Sequence, residues 1–174
     1  MRYAARVEGL GGVEAAAWDI HAEALERQAG GQDVIVLSVG DPDFPTPAPI
    51  VEAARASLQR GRTRYTEVAG AAALRAAIAA HHERLSGQRV TPGQVVVLAG
   101  AQSALFAACQ CLLGPGDAVL VPEPMYVTYP ATIAAAGDRL VRVPLVPERG
   151  FRLDLDRLAS SVTPAVRAIL VNSP

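Results

Sequence analysis

Lysine is absent from this chain: all 16 basic residues are arginine. A lysine amine that attacks a carbonyl is therefore missing, and no Schiff base to a lysine can form within these 174 residues. Cysteine is nearly absent as well. Cys109 and Cys111 sit two apart in an apolar helical stretch, so their side chains leave on different faces and suit neither a disulfide nor a metal pair. Both read as small core residues in a reducing cytoplasm. No apolar run approaches the length of a membrane span, and charges follow Met1-Arg2 where a signal peptide would be apolar. The formal net charge of -1 leaves no basic field for nucleic acid and no polybasic patch for a membrane surface.

What remains is a globular composition, 51% hydrophobic and rich in alanine and valine, in a chain long enough to bury a core. Its organising stretch is QVVVLAGAQSALFAACQCLL, residues 94–113. Val95–Leu98 is a β-branched apolar run that predicts a buried strand. The run breaks at Gly100 and continues as a helix with Leu105, Ala108 and Leu112 on one face. A strand that turns directly into a helix leaves unpaired N–H groups at the positive end of the helix dipole, which suits a phosphate. Gly100 lets the backbone approach closely. The stretch has neither G-x-x-x-x-G-K-[ST] nor G-x-G-x-x-G, so an ATP-type loop and a dinucleotide fingerprint are both disfavoured. A single phosphate monoester needs less glycine. An ordinary strand–helix corner fits the stretch as well.

Around it, residues 1–12 read as a flexible arm. Residues 13–28 form a helix with a stripe of Val13, Ala17, Ile20, Ala24 and Leu25, and His21 is a partly buried structural residue. Asp33–Val39 is a strand leading into Gly40-Asp41-Pro42-Asp43-Phe44-Pro45-Thr46-Pro47, a proline-fixed loop that serves binding or merely links subdomains. A helix over 49–58 follows. Another begins after Gly70, with Leu74, Ile78 and Leu85 on one face and with His81 and His82 pointing apart. The strand Ala118–Val121 ends in a second loop, Pro122-Glu123-Pro124-Met125-Tyr126, at the end of a strand where open α/β sheets bind ligands. Helix 127–136, the turn at Gly137-Asp138, strand 139–143, helix 154–160 and strand 165–171 complete the chain. The alternation from residue 94 onward predicts an α/β fold with a mainly parallel sheet and flanking helices. The last strand has no covering helix after it, so the molecule reads as truncated, with an unpaired sheet edge and a bare apolar face.

The ordered set Leu37-Ser38-Val39-Gly40-Asp41-Pro42-Asp43-Phe44-Pro45-Thr46-Pro47, Tyr65-Thr66, Gly70, Leu74-Arg75, Gly100-Ala101-Gln102-Ser103-Ala104-Leu105, Gly114-Pro115-Gly116-Asp117, Pro124-Met125-Tyr126 and Val171-Asn172-Ser173-Pro174 resembles the class I aminotransferases. These are pyridoxal-phosphate enzymes of fold type I. The stretches AAAWDIHAEAL, LSVGDPDFPTPAPIV and VVVLAGAQSALFAACQCLL are most similar to the arginine–pyruvate branch of that family.

The resemblance implies pyridoxal 5'-phosphate as cofactor. The backbone at Ala101 and Gln102, after Gly100, would hold its phosphate, and Tyr126 would stack on its pyridine ring. Tyr65 would reach the phosphate of a neighbouring subunit in a homodimer, and Gly40 would lie beside the substrate carboxylate. Read without the family, Tyr126 is a rim aromatic and Tyr65 a surface tyrosine. The implied reaction moves an amino group from an L-amino acid, with arginine the candidate donor, to a 2-oxo acid such as pyruvate, in the cytoplasm. Residues 1–45 would be the arm, first helix and a small-domain segment, and 46–174 the first part of the large cofactor-binding domain. The cofactor-binding lysine, the acidic partner of the pyridinium nitrogen, the later asparagine and the carboxylate-clamping arginine of the family have no counterpart in these residues. The chain is therefore expected to be inactive alone. A non-enzymatic phosphate-binding α/β module and a lyase of the same fold type are the competing readings.

Overall fold

The computed structural model describes Val7, Leu10 and residues 16–137 and 139–172. Its elements, in chain order, are α1 (Ala16–Ala29), α2 (Ala48–Gln59), α3 (Ala72–Ser86), α4 (Ala101–Leu112), β1 (Ala118–Glu123), α5 (Tyr129–Ala135), β2 (Arg139–Pro144), α6 (Leu155–Ser161) and β3 (Val166–Ile169). They fall into two compact units. One comprises Met1–Val39 and Ala101–Pro174, the other Gly40–Gly100.

In the first unit the strand order is β2-β1-β3, and both pairings are parallel. β1 is central because it can be: Ala118, Val119, Leu120 and Val121 are all apolar and all buried, the pattern of a strand covered on both faces. Leu120 stands opposite Val141 on β2 and Ile169 on β3. One face of the sheet carries the core, in which Cys109 of α4, Val119, Val121 and Ile133 of α5 are buried together. Leu105, Leu113, Leu140 and Ala168 pack around them.

Local chemistry sets the helix ends. Asp154 precedes α6 in an extended conformation, and its Oδ1 accepts from the backbone N–H groups of Asp156 (3.0 Å) and Arg157 (3.1 Å). Two otherwise unpaired donors of a seven-residue helix are thus satisfied by one carboxylate. Asp154→Ala is expected to lower stability by about 1 kcal/mol, read as a lower urea midpoint at unchanged slope. An unchanged midpoint would mean the cap contributes nothing.

The second unit is held by Arg75 of α3. Its guanidinium donates to Gly70 O (3.1 Å) and Pro92 O (3.2 Å), and Nη2 pairs with Glu67 Oε2 at 2.6 Å. The Val97 N–H donates to Ala69 O at 2.9 Å, tying the stretch after the Pro92–Gln94 turn to the start of α3. Gly87 ends α3 in the left-handed conformation, with its N–H on Glu83 O.

Several expectations need correction. Asp33–Val39 and Val95–Leu98 form no ladder with any strand among the described residues. Strand propensity expresses fit to a paired, half-buried surface, and these runs have no such partner: Ile35 and Leu37 are 82% and 88% exposed. The inward face of α4 is Leu105, Cys109 and Leu113, not Leu105, Ala108 and Leu112, since Ala108 and Leu112 are exposed. The face is fixed by what Cys109 meets on β1 and α5. Cys111, two positions on, is exposed and not a core residue. Ile20 and Leu25 of the α1 stripe are exposed, as are Leu74, Ile78 and Leu85 of α3, while Ala79 is buried. His21 is half-buried as expected, with Nδ1 2.7 Å from Ser38 Oγ. His81 and His82 are exposed. The arm at 1–12 (Val7 and Leu10 apart), Val13, Asp138, Ser173 and Pro174 lie outside the described residues.

Candidate functional site

After β1 the chain goes to β2 on one side, then passes back to β3 on the other. Because both pairings are parallel, the carboxyl ends of the three strands share one rim of the sheet, where open α/β sheets bind ligands. A cleft of ≈ 310 Å³ lies there. Val121, Pro122, Pro124, Met125 and Tyr126 line it from β1 and the loop beyond it, Leu145 from the end of β2, and Leu170 and Asn172 from the end of β3. Tyr129 of α5 completes the wall. A lining shared about equally between polar and apolar surface, with two phenols and an amide, suits a flat, partly polar ligand. Tyr126 is half-exposed. Its ring meets that of Tyr129 edge-on, with centroids 5.6 Å apart and planes at 62°.

The first turn of α4 is tied to the same loop. Gln102, half-buried on the inward side of the helix, donates through Nε2 to Thr128 Oγ1. The Thr132 hydroxyl donates to Gln102 Oε1 at 2.9 Å and lies 2.9 Å from Thr128 O. Thr128 stands at the position just before α5, two residues beyond Tyr126, and its side chain makes no capping bond. Gly100 has φ +87, and a Cβ built there would meet nothing within 4 Å. The first turn of α4 carries no acidic residue. Among the described residues no side chain accepts from its leading N–H groups. This donor set is uncharged, directed and free of carboxylate repulsion, and it fits a phosphate monoester.

The sequence-predicted residues thus separate into two sets. Gln102 and the loop bearing Tyr126 are brought together through Thr128, and Gly100 and Ala101 lead directly into Gln102. Gly40 and Tyr65 belong to the other unit, and both are exposed. Thr128, Thr132, Met125 and Asn172 were not singled out as site residues by sequence reasoning. The i, i+4 spacing of Thr128 and Thr132, one just before α5 and one within it, is the signal that could have placed them on a shared face. Among the described residues no group of three or more His, Cys, Asp or Glu side chains could hold a metal ion.

The family model for aminotransferase class I and II matches residues 32–174. The arginine–pyruvate transaminase of Pseudomonas aeruginosa is 55% identical over 174 residues, which is 100% of this chain and 44% of that protein. The aspartate/prephenate aminotransferase of Thermus thermophilus is 42% identical over 155 residues, covering 89% of this chain and 40% of the relative. Among solved structures, the aspartate aminotransferase from Thermus thermophilus with maleate superposes with a TM-score of 0.92 at 40% identity. It covers 100% of this chain and 45% of that one. The chain spans less than half the length of these relatives.

Proposed function

This chain belongs to the class I and II aminotransferases, and on that premise we propose that it is the amino-terminal part of a pyridoxal 5'-phosphate-dependent aminotransferase of fold type I. The full protein would move an amino group from an L-amino acid, with arginine as the favoured donor, to a 2-oxo acid such as pyruvate. The 55% identity to an arginine–pyruvate transaminase supports the donor. The observation that carries the reading is the first turn of α4, with its unencumbered donors, hydrogen-bonded to the loop that presents Tyr126.

In this reading the backbone N–H groups of Ala101 and Gln102 bind the cofactor phosphate, and Gly100 leaves room for it to approach. The Tyr126 ring covers one face of the pyridine and keeps water from it. When bound, the cofactor supplies the electron sink on which amino transfer depends. Gly40 leaves space for a substrate carboxylate, and Tyr65 reaches the phosphate site of a second subunit, which makes the working form a homodimer. The division into 1–45 and 46–174 and a cytoplasmic location belong to the same proposal. No helix among the described residues is long and apolar enough to cross a membrane.

The test is made on the complete protein. Tyr126→Ala is expected to weaken cofactor binding about tenfold while Tyr126→Phe leaves it near the parent value, since the ring and not the hydroxyl does the covering. Equal affinities for all three, or no affinity of the parent for pyridoxal 5'-phosphate, would defeat the reading.

A further inference from the structure

We infer that the side chain of Gln102 is a positioning residue: it fixes the Tyr126 loop by clamping the start of α5 to the first turn of α4. The inference deepens the site reading above and rests on it for the identity of the ligand. The backbone of Gln102 faces one task and its side chain another. The amide is half-buried, and both of its ends are engaged by α5: Nε2 donates to Thr128 Oγ1, and Oε1 accepts from Thr132 Oγ1 at 2.9 Å. The Thr132 hydroxyl also lies 2.9 Å from Thr128 O, so the three groups close a ring of hydrogen bonds across a gap of 26 residues in sequence. A half-buried polar ring that joins two helices restrains their relative placement through directional bonds, which apolar packing lacks.

What this ring holds is specific. Thr128 stands immediately before α5, and Tyr129 at the first position of α5 has its N–H on Tyr126 O at 3.1 Å. Tyr126 therefore hangs between β1 on one side and the clamped start of α5 on the other. Its ring is half-exposed, and among the described residues Tyr129 is its one aromatic contact, so one side of the ring is left without packing to fix its angle. The clamp supplies that restraint and couples it to α4, whose leading N–H groups face the phosphate in the proposed site. One side chain thus sets the distance between the group that grips the phosphate and the group that covers the ring.

Three variants of the complete protein test this. Thr132→Val removes the hydroxyl at nearly constant volume, Thr132→Ser retains it, and Gln102→Ala removes the amide. The first readout needs no cofactor: amide hydrogen exchange at 125–129 against that at β2. Faster exchange at 125–129 alone is expected in Thr132→Val and Gln102→Ala, with Thr132→Ser at the parent value. Parent-like protection in both clamp-breaking variants, or loss spread evenly to β2, overturns the inference. The second readout is the visible circular dichroism of bound pyridoxal 5'-phosphate, together with its dissociation constant. Thr132→Val and Gln102→Ala should change the band alike, weaken binding about threefold to tenfold, and combine without adding. An additive pair, or an unchanged band, overturns it. If the parent takes up no cofactor, the site reading fails, and the exchange measurement still decides the clamp.

Discussion

Purified free of host aminotransferases, the 174-residue chain is expected to transfer no amino group from arginine to pyruvate, with or without added pyridoxal 5'-phosphate. The reason is chemical. Apart from a terminal α-amine, the chain carries no primary amine, because all 16 of its basic residues are arginine. A guanidinium stays protonated at any working pH and neither attacks a carbonyl nor takes up a proton. The two roles proposed for this chain, gripping a phosphate and covering a ring, move no proton to or from a substrate carbon. Removing a general base alone costs about 10²- to 10⁴-fold in rate, and here the covalent anchor is missing as well. The assay is formation of alanine from arginine and pyruvate. A companion measurement is mass spectrometry after borohydride reduction in the presence of pyridoxal 5'-phosphate, where no internal residue of the 18.1 kDa chain should gain mass. Turnover by this chain, or a modified internal side chain, would refute the expectation. Restoration of turnover in a longer polypeptide that supplies a lysine would support it.

Different parts of the molecule were legible to different degrees, and the reasons are physical. β1 was readable because this central parallel strand is apolar from Ala118 to Val121, all buried, so composition alone marks it. The start of α4 was readable because Gly100 interrupts an apolar run, and a positive φ there leaves glycine as the residue of choice. The rotation of α4 was not readable. Alanine, cysteine and leucine are all acceptable inside, and only the neighbours of Cys109 on β1 and α5 decide between faces. Asp33–Val39 and Val95–Leu98 have strand composition without a strand partner among the described residues, and pairing is not a local property. The polar ring of Gln102, Thr128 and Thr132 was out of reach for the same reason: its members are 26 and 30 residues apart. Gly70 was noticed as part of a pattern, yet its physical task emerges only from what stands opposite it.

Gly70→Ala is expected to destabilise the Gly40–Gly100 unit by about 2–5 kcal/mol, the combined cost of a strained backbone and an overfilled contact. Gly70 has φ +101, a conformation that a Cβ disfavours. A Cβ there would stand 2.7 Å from Val97 Cβ and 2.8 Å from Val97 Cγ2, closer than carbon atoms pack. Neither partner can easily retreat. Val97 is held by its own N–H on Ala69 O at 2.9 Å, and Gly70 is held by its N–H on Glu67 O and by Arg75 Nε on its carbonyl. Relief would require breaking the Arg75 junction that joins residues 67–70, α3 and the Pro92 turn. Gly87→Ala is the matched control: φ is +71, but no atom lies within 4 Å of the added carbon, so only about 1 kcal/mol of backbone cost remains. Urea unfolding of the two variants, with hydrogen exchange at the α3 amides, separates the terms. Equal losses would show that the conformation of Gly70 alone matters; a much larger loss for Gly70→Ala locates the difference in its contact with Val97.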